Sequence, residues 1–333
     1  MPINKRILFY ILTCLGCSLA LPAVAAADID DGNYMVSYHD YVSPDQSIVF
    51  GRTYNSVTQT SGQLGHGWGS SFETYLTVVS DGTVIFHLNR TGSQTTFHPP
   101  QRKLADIKAS IRDILEAREK SQQKVQFYTR NADGKKVARP ERSLPEYLLT
   151  QQAMRYFLWE LYADEGLLAQ AVLPVGSTLM AHSTYGDVSL ARMASGYRVM
   201  NAFGVYDFDK HGRLVGYADH GSLNKAKEDA RFYWGDGKQL LAVASGKSDA
   251  MIFVRHNHQG LITGLLDQQG QLLASYQYDG ENMVHSRVHS DHAYLYHYNE
   301  DNHMDTITYT NGSIRSIVYD ENGTALYTHR KTP

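Results

Sequence analysis

The sequence predicts a mainly β protein: an open, short antiparallel sheet of repeated units, with an N-terminal β domain and an α-helical insert. Three observations predict it. First, an aromatic or histidine residue followed by a turn former recurs at Phe208-Asp209, Trp234-Gly235, His256-Asn257, Tyr278-Asp279, Tyr298-Asn299 and Tyr319-Asp320. The second members lie 26, 22, 22, 20 and 21 residues apart, and a period near this length marks stacked β units. Second, the chain holds 23 tyrosines, which suit half-buried strands with a packed ring and a wet hydroxyl. Third, helical periodicity is confined to one stretch between two β-rich parts.

Four segments follow in order: 1–27, 28–100, 101–175 and 176–333. The first carries Lys5 and Arg6, an apolar run from Ile7 to Leu21, and small residues from Pro22 to Ala27. That order reads as a secretory signal peptide, and the apolar run is too short for a permanent transmembrane helix. Cys14 and Cys17 both lie in it, so the mature chain has no thiol for a disulfide, a nucleophile or a zinc site. Leu15-Gly16 before Cys17 also permits a lipid-anchor reading, against which the alanines supply the better cleavage signal.

In the second segment, Tyr34–Tyr41, Ser47–Tyr54 and Phe72–Val79 read as strands. Asp81-Gly82 and Arg90-Thr91-Gly92-Ser93 read as hairpin turns, because aspartate and glycine tolerate positive φ. Gly62, Gly65, Gly67 and Gly69 mark a loop around Trp68. In the third segment, Leu104, Ile107, Ile111, Ile114 and Leu115 predict a helix over 102–122. A short strand pair is expected near Val125–Tyr128 with its turn at Asp133-Gly134. Ser143 with Glu146 three residues on predicts a capping box opening a helix over 145–163. In the fourth, Asp187–Arg192 and Gly196–Met200 read as strands before the repeats. Each repeat then has turn formers followed by an apolar residue: Leu214, Leu240, Leu261, Met283, Met304 and Leu326. Asn311 and Asn322 sit in glycosylation-type triplets but read as hairpin turns.

Two segments resemble the Rhs/YD-repeat family of bacterial surface and secreted proteins. One runs from Gly32-Asn33-Tyr34 through Arg52-Thr53-Tyr54-Asn55-Ser56 and Leu64-Gly65-His66-Gly67-Trp68 to Arg90-Thr91-Gly92. It is similar to the domain of unknown function that precedes YD repeats in Rhs proteins. The other is the array, in which Tyr206-Asp207-Phe208-Asp209-Lys210-His211-Gly212-Arg213-Leu214 is close to the YD pattern. The resemblance implies a YD-repeat sheet and an exported bacterial protein of the periplasm, the envelope or the exterior. Long members wind many repeats into a shell around a C-terminal toxin. Six units are too few for such a container, and neither a toxin domain nor the family's self-cleaving core is expected here.

A net charge of −3 excludes a basic nucleic-acid footprint. No cofactor is expected. His285, His289, His292 and His297, with His256, His258 and His303 nearby, are candidate metal ligands, but no acidic ligand stands at a metal spacing, so no metal is expected. No nucleophile elbow or HExxH string supports a hydrolase. Tyr156, Phe157, Trp159 and Tyr162 form more aromatic surface than one helix face needs, which makes them the expected contact for a partner. Trp68 reads either as a sugar-stacking platform or as a plug over the first sheet. The expected role is a non-catalytic binding scaffold for a protein or surface glycan of the envelope. The alternatives are an accessory or immunity-like component of a polymorphic toxin system, and a hydrolase or metal-dependent enzyme.

Overall fold

The computed structural model describes residues 26–30, 32–58, 61–90, 93–123, 125–130, 135–183, 186–219, 228–236, 239–288 and 292–333. Most of the expected signal segment, the Asp133-Gly134 turn, Thr91-Gly92 and His289 lie outside these residues.

The chain first forms β1 (Ala26–Asp30), β2 (Asn33–Val42) and β3 (Val49–Asn55), then the short β4 (Ser61–Gly62), β5 (Gly65–His66) and β6 (Trp68–Ser70). Strands β1, β2, β3 and β6 make one antiparallel sheet in that order. A second, three-stranded sheet follows from β7 (Tyr75–Val78), β8 (Val84–His87) and β9 (Gln94–Phe97). The expected strand over Phe72–Val79 is thus shorter, and both of its faces are buried. Leu76, Val78, Val84 and Phe86 enter the main core, while Val79 and Ile85 face a second core under the helices. Burial on both faces replaces the alternation expected of a half-exposed strand.

The insert holds α1 (Leu104–Lys120), β10 (Tyr128–Arg130), β11 (Lys136–Ala138), α2 (Leu144–Thr150) and α3 (Gln152–Asp164). The single helix expected over 145–163 is therefore two. The chain breaks at Gln151, with φ −103° and ψ 81°. Arg155, almost fully buried, turns back and donates Nη1 to the carbonyls of Leu148 (2.6 Å) and Leu149 (3.1 Å). It thereby satisfies helix-end acceptors that the break leaves open. The expected capping box does not form: Ser143 Oγ bonds to the Pro140 carbonyl instead, 2.7 Å away. That bond belongs to a 3-10 turn over Glu141–Ser143, which takes up the serine before it can cap.

The rest is one meander of fifteen antiparallel strands in sequence order. They are β12 (Thr178–Ser183), β13 (Gly186–Arg192), β14 (Gly196–Asn201), β15 (Gly204–Asp209), β16 (Leu214–Asp219), β17 (Ala230–Trp234), β18 (Leu240–Ser245), β19 (Met251–His256), β20 (Ile262–Leu266), β21 (Leu272–Asp279), β22 (Asn282–Val288), β23 (His292–Tyr298), β24 (Met304–Tyr309), β25 (Ile314–Tyr319) and β26 (Ala325–Lys331). Each anchor closes one strand of a hairpin, and its unit is two strands. The sheet is open.

Two local rules generate the repeat. An Asp or Asn after the anchor folds the turn onto its own side chain. Asn299 Oδ1 accepts from the amides of Asp301 (3.1 Å) and His303 (2.9 Å). Asp209, Asn257 and Asp320 repeat this at the same offsets. The residue three positions after the Asp or Asn takes positive φ: Gly212, Gly260, Asn302 and Gly323. Turn chemistry thus explains the second residue of the anchor pair. The first residue is explained by a β-bulge. Register shifts at Phe208, Trp234, His256, Tyr278, Tyr298 and Tyr319 pair five of these anchors directly with the first residue of the next strand, and Tyr278 with the second, Met283. Such a bulge takes backbone groups out of the ladder. The anchor of the following unit caps the freed carbonyl: Trp234 Nε1 donates to Leu214 O (2.6 Å), Tyr278 Oη to Ile262 O (2.6 Å), Tyr298 Oη to Met283 O (3.0 Å) and Tyr319 Oη to Met304 O (2.8 Å).

The same geometry corrects two apolar positions. Ile262, after the buried Leu261, fills the post-turn place in its unit, and Ala325 does so in the last. Leu326 is 54 % exposed.

Removing an anchor hydroxyl should leave buried backbone groups unmet. Tyr298→Phe is expected to cost about 2–4 kcal/mol in chemical denaturation, because Tyr298 Oη also accepts from Trp68 Nε1 at 2.9 Å. Tyr327→Phe, on an exposed tyrosine outside the anchor series, should stay within about 0.5 kcal/mol.

Candidate functional site

One face of the fifteen-stranded sheet is occupied by the N-terminal β domain, and a single core runs through both. Contacts reach from the first strand to the last: β9 meets β12, β5 meets β22 and β1 meets β26. Fifteen strands laid flat would span roughly 70 Å at about 4.8 Å each, more than twice the width of a domain of about 70 residues. The sheet therefore curls around the domain, which fills it as a plug.

The plug touches every repeat unit through backbone groups at the turns or beside the bulges. In unit order, Leu76 N donates to Gly212 O (2.8 Å), Leu240 N to Gln63 Oε1 (3.1 Å) and Ile262 N to Gln63 O (2.6 Å). Further along, His66 N donates to Glu281 O (2.9 Å), Met304 N to Tyr54 Oη (2.8 Å) and Ala325 N to Gly32 O (2.7 Å). The two short strings read from the sequence are this docking surface. Within the first, Thr53 Oγ1 bonds Ser37 Oγ (2.9 Å), Asn55 Oδ1 accepts from Val57 N (3.1 Å) and Ser56 Oγ accepts from Tyr34 N (2.9 Å). In the second, Gly65 has φ +89° and a Cβ there would sit 2.1 Å from Glu281 O. Gly67 has φ +71°, and its Cβ would strike the Tyr54 ring at 2.6 Å. Both positions need glycine for conformation and for close approach.

Arg52 is the centre of this interface and is fully buried. Its Nε meets Asp40 Oδ2 at 2.6 Å, Nη1 donates to Tyr296 Oη at 2.7 Å and Nη2 to Ser286 Oγ at 2.9 Å. Tyr276 Oη donates to the same Asp40 oxygen at 2.6 Å. The guanidinium carbon lies 4.2 Å from the Tyr38 ring centre and 4.8 Å from that of Trp68. Burial alone would pull the guanidinium toward neutrality, but Asp40 and the tyrosines raise its pKa well above the ordinary value. The cluster joins β2 and β3 to β21, β22 and β23 and has the geometry of a structural clamp.

Trp68 is buried beneath the sheet, packed on Tyr54 (5.5 Å) and Tyr296 (5.2 Å). It fills the plug and presents no stacking platform. In the insert, Tyr156, Trp159 and Tyr162 are buried in the second core, and Phe157 is partly buried against it. The aromatic stretch is therefore mostly core, because one side of α3 packs on the three-stranded sheet and another on α1. Glu160 fastens the helix: it accepts from Thr77 Oγ1 at 2.8 Å and pairs with His87 Nε2, whose ring stacks on Tyr75 at 4.2 Å. Nothing in the local sequence pairs these residues, since they come from three elements. A cavity of about 210 Å³ lies elsewhere, lined by Phe86, Thr95, His182, Asn201 and Phe203 among others.

Among the described residues no three potential ligands gather as a metal site. The candidate histidines are dispersed. His297 pairs with Asp305 at 2.7 Å, His303 stacks on Tyr319 at 4.9 Å, and His256 Nε2 meets Gln63 Oε1 at 3.1 Å. No helix among the described residues is long and apolar enough to cross a membrane.

Residues 28–97 match the family described as "Domain of unknown function (DUF6531)". The match covers the plug and stops before the insert. Together with the curled repeat sheet it fits a protein of the Rhs type. Two solved structures, described as "Crystal Structure of TcdB2-TccC3" and "Crystal Structure of TcdB2-TccC3-TEV", are similar at 12 % and 8 % identity with TM-scores of 0.26 and 0.20. They cover 90 % and 98 % of this chain, which spans 17 % and 20 % of theirs. No curated protein matches the sequence.

Two outcomes follow for this interface. Asp40→Asn strands a buried guanidinium and should cost about 3–5 kcal/mol in urea denaturation, with part recovered in the Asp40→Leu/Arg52→Met double variant. The second outcome concerns pH. Burial pushes the imidazoles of His66 and His256 below the usual histidine value, Glu281 partly offsetting this at His66. The fold thus prefers the neutral rings, so stability is full above the unfolded pKa of about 6.5 and is lost as pH falls from there through the folded values. Urea midpoints should drop over that window, and His256→Gln, which keeps a donor toward Gln63, should shrink the drop.

Proposed function

We propose that this chain is an exported, non-catalytic binding scaffold of the Rhs/YD-repeat type that holds a protein or a surface glycan of the bacterial envelope. The observation carrying this reading is the plug. The face on which a wound repeat sheet would hold cargo is taken by the chain's own N-terminal domain, packed into one continuous core. What remains for recognition is the outside of the sheet and the insert. The insert leaves Leu104, Tyr128 and Val137 exposed and Phe157 only partly buried, and the surface of the insert is the proposed contact. The basic start, apolar run and alanines of residues 1–27 support export.

A pull-down with the mature chain from envelope extracts, paired with a glycan array, tests the reading. A specific partner or glycan is expected, and Leu104→Asp with Tyr128→Asp should abolish its capture while leaving the fold intact by circular dichroism. Capture unchanged by both substitutions would remove the insert as the contact. The absence of any specific protein or glycan would sink the scaffold role. A captured toxin would make the chain an accessory or immunity-like component.

A further inference from the structure

The outer face of the repeat sheet carries an apolar row. Tyr233 on β17 stands directly opposite Ala242 on β18, Ala242 opposite Phe253 on β19, Phe253 opposite Leu266 on β20, and Leu266 opposite Leu272 on β21. Their chain neighbours Phe232, Val243, Ile252, Val254 and Leu265 belong to the core around the plug. Side chains alternate along a strand, so the row points away from the plug. Tyr233, Phe253 and Leu272, on alternate strands, are 43, 43 and 48 % exposed. Between them Ala242 is small and buried, and Leu266 is partly buried. The register thus makes a linear ridge with a raised apolar group at every second strand.

The ridge has polar flanks. On β17, Arg231 stands two residues from Tyr233 on the same face, and Glu228 Oε2 holds its guanidinium at 2.8 and 3.0 Å. On β19, the exposed Arg255 stands two residues from Phe253, directly opposite Gly264, with Ser275 next in register. A Cβ on Gly264 would lie 3.1 Å from Leu272 Cδ1 and 3.3 Å from Arg255 Nη2. Both side chains therefore reach over the glycine, which brings a guanidinium beside the apolar row.

The shape selects the occupant. Five strands span four spacings, about 19 Å, and one row is about 7 Å wide. That is roughly 130 Å², and even doubled to take in Leu241 and Met251 beside the row it stays far below the about 800 Å² that each partner gives to a stable protein interface. A strip this narrow suits a single chain of sugar rings. Tyr233, Phe253 and Leu272 follow one another at two strand spacings, about 9.6 Å. This is the length of one disaccharide in an extended β-1,4-linked chain, in which every second ring presents the same face. The C–H faces of pyranose rings are apolar and slightly positive, and aromatic faces attract them. Guanidinium donors meet hydroxyl oxygens at the ring edges.

We propose that the outer face of β17–β21 binds a β-1,4-linked polysaccharide running across the strands. Tyr233, Phe253 and Leu272 lie under alternate sugar rings, and Arg231 and Arg255 bond hydroxyls from either side. The insert plays no part in it, so the ridge and the insert surface stand or fall separately.

Isothermal titration of the mature chain with cellohexaose, and separately with chitohexaose, tests the site, with α-linked maltohexaose as the control for linkage. At least one of the two β-1,4-linked hexasaccharides is expected to bind, and more tightly than maltohexaose. Tyr233→Ala and Phe253→Ala should each weaken binding about fivefold or more. Phe253→Tyr, which keeps the ring, should retain it, and Leu104→Asp with Tyr128→Asp on the insert should leave it unchanged. Circular dichroism should show all these variants folded. Should neither β-1,4-linked hexasaccharide bind, or binding survive both alanine substitutions together, the site does not exist. Equal binding of maltohexaose would overturn the match to linkage. A dimer in sedimentation that Phe253→Ala dissolves would give the ridge to a second copy of the chain and overturn the glycan.

Discussion

Everything in this fold depends on what happens to the backbone at the bulges. Each hairpin slips register at its anchor, and the slip releases an N–H and a C=O from the ladder. Released groups that are buried must be met elsewhere. In four places the carbonyl goes to the aromatic of the following unit, which links neighbours along the array. In four of the six units the amide goes to the plug, and in the other two a turn carbonyl does, which links the array to residues up to about 290 positions earlier in the chain. A local irregularity thereby specifies both the stacking of units and the docking of a separate domain.

Around that lattice of backbone bonds, the Arg52 cluster sets orientation. A buried ion pair gives little net stability, because desolvation offsets most of its attraction. Its geometry is nevertheless demanding. Arg52 has to meet Tyr296 and Ser286 while Asp40 takes Tyr276, and rotating the plug against the sheet would leave these buried polar groups without their partners. The surrounding rings of Tyr38 and Trp68 exclude water from it. Hydrophobic packing alone would tolerate small slips between two curved apolar faces, whereas this arrangement does not.

Much of the architecture was legible in the sequence because its causes are local. The Asp or Asn after each anchor announces a turn whose hydrogen bonds lie within four residues, and Ile107, Ile111 and Ile114 announce a helix by spacing alone. The two strings around Arg52 and Trp68 were legible as a pattern but not as a mechanism, since their partners lie more than two hundred residues away. The capping box at Ser143 failed because an adjacent turn claimed the same hydroxyl. The break at Gln151 depends on Arg155 folding back, which no periodicity encodes. Leu326 misled because a bulge shifts which side of the strand faces inward, so that Ala325 fills the core place. The aromatic run at 156–162 reads as surplus surface because its spacing carries no signal that the three-stranded sheet and α1, themselves legible, pack on it from two sides.

A stack of repeats has no intrinsic length; nothing within one unit says how many should follow. Here the number is written in another part of the chain. The rim of the plug presents a contact for each of the six units, from Leu76 at the first to Gly32 at the last. It works as a ruler. A unit inserted into the middle would displace every later turn from its mark, while most substitutions between marks would go unregistered. Because the plug meets the units only at these marks, docking constrains the turns and bulges and leaves the positions between them unconstrained, so six units can wind regularly while resembling one another weakly.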